Sequence, residues 1–136
     1  MEPIQVFLIE DNPADVLLIR VSLSQVTLPL KLLVAKDGEQ ALQMLSMPDF
    51  QPQLIILDLN MPRVDGQTVL QQCRRTQTPI VVFSSTQNKT EVQKALALGA
   101  REYVQKPLGF EPYADAVRGI VNRWVVPPAE ESLATG

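Results

Sequence analysis

The 136-residue chain contains no histidine. That absence removes the commonest general base and the commonest transition-metal ligand together, so any chemistry must run on carboxylates, hydroxyls, lysine or a hard cation. It also bars a phosphohistidine, so a histidine step would have to come from a partner. Cysteine is nearly absent too. Cys73 stands alone, cannot form an internal disulfide, and falls on the buried face of an expected helix, which fits a reduced, inert thiol in a reducing compartment. No block of Lys or Arg forms a stripe and the net charge is −3, so the chain lacks the footprint of a polyanion binder and direct DNA binding is not expected. No apolar run approaches the roughly 20 residues a membrane helix needs, and the N-terminus opens into a strand pattern rather than a signal-peptide pattern. A cytoplasmic protein with no membrane association is the expectation.

What is present is apolar and periodic. With 46% hydrophobic residues the chain can bury a core of one compact domain. Short apolar runs alternate with longer segments of helical spacing, the pattern of an α/β, doubly wound fold in which helices cover both faces of a parallel sheet. Five such pairs can be counted. Strands are expected at Ile4 to Ile9, Leu30 to Ala35, Leu54 to Leu57, Ile80 to Phe83 and, as a weak edge, Glu102 to Val104. The first helix follows the Asn12 cap and the proline at its first position, running from about Pro13 to Val26 with Val16, Leu17, Ile19, Leu23 and Val26 toward the sheet. The second is capped by Asp37 and ends at Met47-Pro48; the third starts after Gly66 and carries Val69, Leu70 and Cys73 on one face. The fourth runs from about Asn88 to Leu98 and closes on Gly99 as a left-handed cap. The last, about Glu111 to Trp124, presents Tyr113, Ala116, Val117, Ile120, Val121 and Trp124 at three-and-four spacing. The folded domain is expected over residues 1–126, with 127–136 as a flexible tail lacking any periodicity.

Four of the strand runs end in polar groups of complementary kinds: Glu10-Asp11, Asp58, Ser84-Ser85 and Lys106-Pro107. Each alone is an ordinary cap or turn signal. Together, at the carboxyl edge of one parallel sheet, where such folds bind ligands, they form a set for phosphoryl and divalent-metal chemistry. Three carboxylates gathered there repel one another unless a hard cation intervenes. Magnesium suits the set, with Asp11 and Asp58 as direct ligands and Glu10 acting through water. Lys106 supplies a point charge and Ser84 a hydroxyl for phosphoryl oxygens, and phosphoryl transfer needs little beyond such positioning.

At these residues the chain resembles the receiver domain of two-component response regulators over about Ile4 to Trp124. The motifs are Leu8-Ile9-Glu10-Asp11-Asn12, Leu57-Asp58-Leu59-Asn60-Met61-Pro62-Arg63-Val64-Asp65-Gly66, the strand ending in Ser84, Leu98-Gly99-Ala100 followed by Tyr103, and Lys106-Pro107. The opening Glu-Asp-Asn-Pro-Ala-Asp is most similar to that of small stand-alone regulators, including those paired with bacterial phytochrome kinases. The resemblance implies a flavodoxin-like, five-stranded sheet of order 2-1-3-4-5. It implies that Asp58 accepts a phosphoryl group from a sensor histidine kinase and that Asp11, Asp58 and the backbone carbonyl of Asn60 bind magnesium with help from Glu10. It further implies that Lys106 and Ser84 contact the phosphoryl group, that Tyr103 changes rotamer on activation, and that the Lys106–Pro107 peptide is cis. Asn60 and Thr86, which flank the expected water approach, are assigned to tuning the lifetime of the phosphorylated form. Output is expected through binding to a downstream protein.

Two other readings use the same residues. A magnesium-dependent phosphohydrolase also employs an aspartate nucleophile, but enzymes of the haloacid dehalogenase type place a second Asp two residues on, where this chain has Asn60. A constitutive docking module could retain the site without using it, against which stands the completeness of the set. Two faces offer self-association as a homodimer, one near Tyr103 and one around Trp124, Val125 and Val126; the latter cluster can equally be the end of the core.

Overall fold

The computed structural model describes residues 3–59, 66–73, 77–86 and 88–125. The elements run β1 (Ile4–Ile9), α1 (Pro13–Ser24), β2 (Leu30–Ala35), α2 (Gly38–Leu45), β3 (Leu54–Leu57), α3 (Gly66–Cys73), β4 (Ile80–Ser84), α4 (Lys89–Ala97), β5 (Glu102–Gln105) and α5 (Phe110–Trp124). All four strand pairings are parallel and the sheet order is β2-β1-β3-β4-β5. The expected α/β architecture and strand order are therefore those observed. The expected tail, 127–136, and Val126 lie outside the described residues.

The apolar runs work as strands because their alternation feeds two cores. Val6, Leu8, Leu54, Ile56, Val81 and Phe83 face a core completed by Ile19 and Leu23 of α1 and by Tyr113, Val117, Ile120 and Val121 of α5. Their neighbours Phe7, Ile9, Ile55, Leu57, Ile80 and Val82 face the opposite core, closed by Ala41 of α2, Val69, Leu70 and Cys73 of α3, and Ala95 of α4. A strand buried on both faces reads as a continuous apolar run, and each large side chain so buried contributes about 1.5–3 kcal/mol.

Local signals start and stop the helices. Asn12 accepts from the Ala14 N–H, Asp37 from the Gln40 N–H, and Asn88 from the N–H groups of Thr90 and Glu91. These side chains satisfy donors that the first turn leaves without partners. At the end of α4, Gly99 adopts φ 117°, and the N–H groups of Gly99 and Ala100 return to the carbonyls of Leu96 and Ala95. Only glycine takes that conformation at little cost, as the sequence led us to expect.

Three expectations are corrected. Leu17 does not face the sheet but is 60% exposed; it stands two positions from the fully buried Ile19, about 200° around the helix, and so points the opposite way. Ser22 takes the inward place instead, its hydroxyl donating to the Leu18 carbonyl at 2.7 Å. Helix α1 stops at Ser24, and Val26 packs against the core from the loop beyond it. No cis peptide bond occurs among the described residues, so Lys106–Pro107 is trans, the form an X–Pro bond favours by about 0.5–1 kcal/mol without other constraint. At the end of α5, Val125 is buried in the core and the Trp124 indole N–H donates to Glu102 at 2.8 Å. Of that apolar cluster, Val125 thus lies in the core and Trp124 packs against it.

Candidate functional site

Parallel pairing in register sets the carboxyl ends of the central strands side by side. Ile9 pairs with Ala35 on one flank and Leu57 on the other, and Leu57 pairs with Val82. The backbone continues this lattice one residue further: the Glu10 N–H donates to Ala35, the Asp58 N–H to Ile9, and the Lys106 N–H to Ser84 at 2.8 Å. Glu10, Asp58 and Lys106 are thus held by the last rungs of the sheet. The site lies where the chain order reverses between β1 and β3, the position at which open α/β sheets form a crevice.

The side chains converge as the sequence led us to expect. Carboxylate oxygens of Glu10, Asp11 and Asp58 lie within 4.8 Å of one another. Glu10 and Asp58 are buried, whereas Asp11 faces solvent. Lys106 Nζ donates to Glu10 Oε1 at 2.6 Å and to Asp58 Oδ2 at 3.5 Å. Its ammonium stands 6.0 Å from the centroid of the Phe83 ring, on the end of β4. Ser84 is fully buried while Ser85 is exposed, so the first of the two hydroxyls is the one that faces inward. Ser84 Oγ accepts from the Thr86 N–H at 3.5 Å, and Tyr103 Oη donates to the Thr86 carbonyl at 3.3 Å. Thr86 therefore links the β4 hydroxyl to the half-buried tyrosine of β5. Asn60 falls outside the described residues.

The charges are not balanced. Burial pushes Glu10 up to about 8; the Lys106 hydrogen bond opposes this and neighbouring Asp58 reinforces it. Burial alone would lower the Lys106 pKa, but its hydrogen bond to Glu10 and the charges of Asp58, Glu10 and Asp15 outweigh that and raise it. One ammonium thus serves several carboxylates. A hard divalent cation, which prefers oxygen ligands and commonly takes only one or two carboxylates, fits the donor set.

Two participants were not assigned to the site from the sequence. Asp15 Oδ2 lies 3.2 Å from Lys106 Nζ, and Tyr113 Oη donates to Asp15 Oδ1 at 2.7 Å. Asp15 could have been suspected, since it lies in the first turn of α1, just after the acidic pair at the end of β1. Tyr113 carries no such signal, because it occupies an apolar position of α5 and only the packing of α5 against α1 gives its hydroxyl a partner.

The sequence model of the response regulator receiver domain matches residues 6–118. The chain belongs to this family. Among curated relatives, the probable methanogenesis regulatory protein FilR2 of Methanothrix harundinacea is 29% identical over 91% of this chain and 85% of its own length. Response regulator Rcp1 of Synechocystis sp. is 29% identical over 90% of each chain. The receiver also resembles the crystal structure of the phosphorylated cyanobacterial phytochrome response regulator RcpA, with a TM-score of 0.85, 30% identity and coverage of 91% and 95% of the two chains. The Mn2+-bound form of Rcp1 gives a TM-score of 0.84 at 29% identity, covering 92% and 98%. Receivers of this family are two-component signalling modules partnered by sensor histidine kinases. No helix among the described residues is long and apolar enough to cross a membrane.

Proposed function

We propose that this receiver is a cytoplasmic, stand-alone response regulator that takes a phosphoryl group on Asp58 from a phosphohistidine of a sensor kinase. The histidine N–P bond breaks as a bond forms between phosphorus and an Asp58 carboxylate oxygen, and the imidazole departs with the electron pair. Asp11 and Asp58, with Glu10 through a water, would hold magnesium, which would supply positive charge to the phosphoryl oxygens. The Asn60 carbonyl joins this set on the family resemblance alone. Lys106 and Ser84 take phosphoryl oxygens, and Tyr103 follows the Ser84–Thr86 segment to change the surface made by α4, β5 and α5. Asn60 and Thr86 set the lifetime of the acyl phosphate. The chain then acts by binding a downstream protein rather than by turning over a substrate.

The observation that carries this reading is the convergence of Lys106 on Glu10 and Asp58 at the sheet edge, beside Asp11. A signalling site needs a carboxylate to modify and a cation to hold the product, and the new charge is what biases the surface. The named phytochrome regulator among the structural relatives favours a phytochrome-type kinase as donor. Exposed Leu17, Leu108 and Phe110 border the clefts beside Glu10 and Lys106 and offer that kinase an apolar rim. Association of two copies through the face near Tyr103 is part of the proposal. Incubation with magnesium and a small phosphodonor, followed by intact mass, is the test: wild type should gain one phosphoryl group and Asp58→Asn none. An unmodified wild type would count against the phosphoacceptor role, and equal dephosphorylation rates after substituting both Asn60 and Thr86 would remove their tuning role.

A further inference from the structure

Lys106 has three carboxylate partners among the described residues, and they are not equivalent. Glu10 and Asp58 belong to the group that converges for a cation; Asp15 does not. The Asp15 carboxylate divides its two oxygens between the Lys106 ammonium at 3.2 Å and the Tyr113 hydroxyl at 2.7 Å. Tyr113 is a rigid clamp: it is 4% exposed and its ring packs edge-on against Phe83 at 5.2 Å. The same Phe83 ring lies beneath the lysine. Burial, then the hydrogen bond to Asp15, raises the phenol pKa, so the hydroxyl remains a donor across the working range of pH.

A divalent cation held by Asp11 and Asp58, with Glu10 through a water, would compete with Lys106 for two of its three partners. Left without a counter-charge, the ammonium would repel the cation across a few ångströms of partly dry site. Asp15 is the partner such a cation leaves untouched. We infer that Asp15, clamped by Tyr113, is a positioning residue for Lys106, supplying the counter-charge that keeps the ammonium at the site while Asp11 and Asp58, with Glu10 through a water, hold a divalent cation. The inference rests on the phosphoacceptor reading and extends it, tying metal occupancy to a contact between α1 and α5.

The test is calorimetric titration of magnesium into the full chain, with thermal melts confirming that each variant is folded. Asp15→Asn should weaken magnesium binding on the order of five- to tenfold, and Tyr113→Phe, which keeps the ring, about two- to threefold. Because both act on one contact, the double variant should bind no more weakly than Asp15→Asn alone. In a Lys106→Gln background the Asp15→Asn loss should shrink to within about twofold. Wild-type affinity in Asp15→Asn, or the same loss with and without the lysine, overturns the inference. A wild type that binds no magnesium would overturn the metal-dependent reading beneath it as well, whereas normal binding with an indifferent Asp15→Asn sinks the inference alone.

Discussion

Replacing Gly66 by alanine should damage both the fold and the site, and the geometry sets the size of the effect. A Cβ on Gly66 would stand 2.7 Å from the Leu59 Cα and 2.7 Å from its carbonyl oxygen. Ordinary carbon contacts lie at about 3.5–4.0 Å, so the overlap is roughly 0.8 Å or more. Both obstructing atoms are backbone, so no rotamer change relieves it. Overpacking of this kind costs about 1–3 kcal/mol. At about 2.1 cal/mol/K per residue, the unfolding entropy of a 136-residue chain makes each kcal/mol worth about 3.5 °C. Gly66→Ala should therefore melt about 3–10 °C below wild type. Leu59 directly follows Asp58, so the displacement should also weaken magnesium binding. Gly119 is the control: a Cβ there meets the Arg123 guanidinium at 2.9 Å, the far end of a flexible side chain inside α5. Gly119→Ala should be neutral or stabilising by up to about 1 kcal/mol, because alanine restricts the unfolded chain and favours helix. Circular-dichroism melts of the three proteins decide it. A Gly66→Ala midpoint within about 1 °C of wild type, or a loss in Gly119→Ala as large as in Gly66→Ala, would refute the reasoning.

The metal-free protein should lose stability as pH rises from 4.5 to about 8, because Glu10 binds its proton more tightly folded than unfolded. The raised Lys106 pKa opposes nothing in that window, since its contribution is lost only above 10.5. Denaturant titrations should show the slope in wild type and its removal in Glu10→Gln, while magnesium affinity in wild type should climb across the same interval. Burial pushes the Cys73 thiol up to about 12, so a disulfide reagent at pH 8 should label it only on unfolding; prompt labelling of the native chain would contradict that burial. Asn88→Ala removes the acceptor of the Thr90 and Glu91 N–H groups and should cost about 1 kcal/mol by thermal melt, with hydrogen exchange accelerated first at the start of α4.

Much of this molecule is legible along the chain because the relevant forces are local or periodic. Apolar runs of four to six residues, caps at Asn12, Asp37 and Asn88, and glycine after α4 name the elements and their order. Parallel pairing then obliges residues at the ends of the runs to share an edge, so Glu10, Asp11, Asp58, Ser84 and Lys106 could be grouped before any distance was measured. The phase of α1 was harder. Leu17 and Ile19 are both apolar and two positions apart, and only the packing shows that one is buried and the other exposed.

By itself, then, the sequence determined the strand ends and the chemical kinds delivered there, because side-chain type and strand period are properties of the chain. It also determined that these 136 residues supply no histidine of their own. Only the tertiary structure decided how Lys106 divides itself among Glu10, Asp58 and Asp15. It alone placed the Tyr113 hydroxyl on Asp15, a contact between residues 98 positions apart. No pattern within either helix encodes that contact. It arises because α1 and α5 cover the same face of the sheet, where a polar tip on an otherwise buried ring must find a partner.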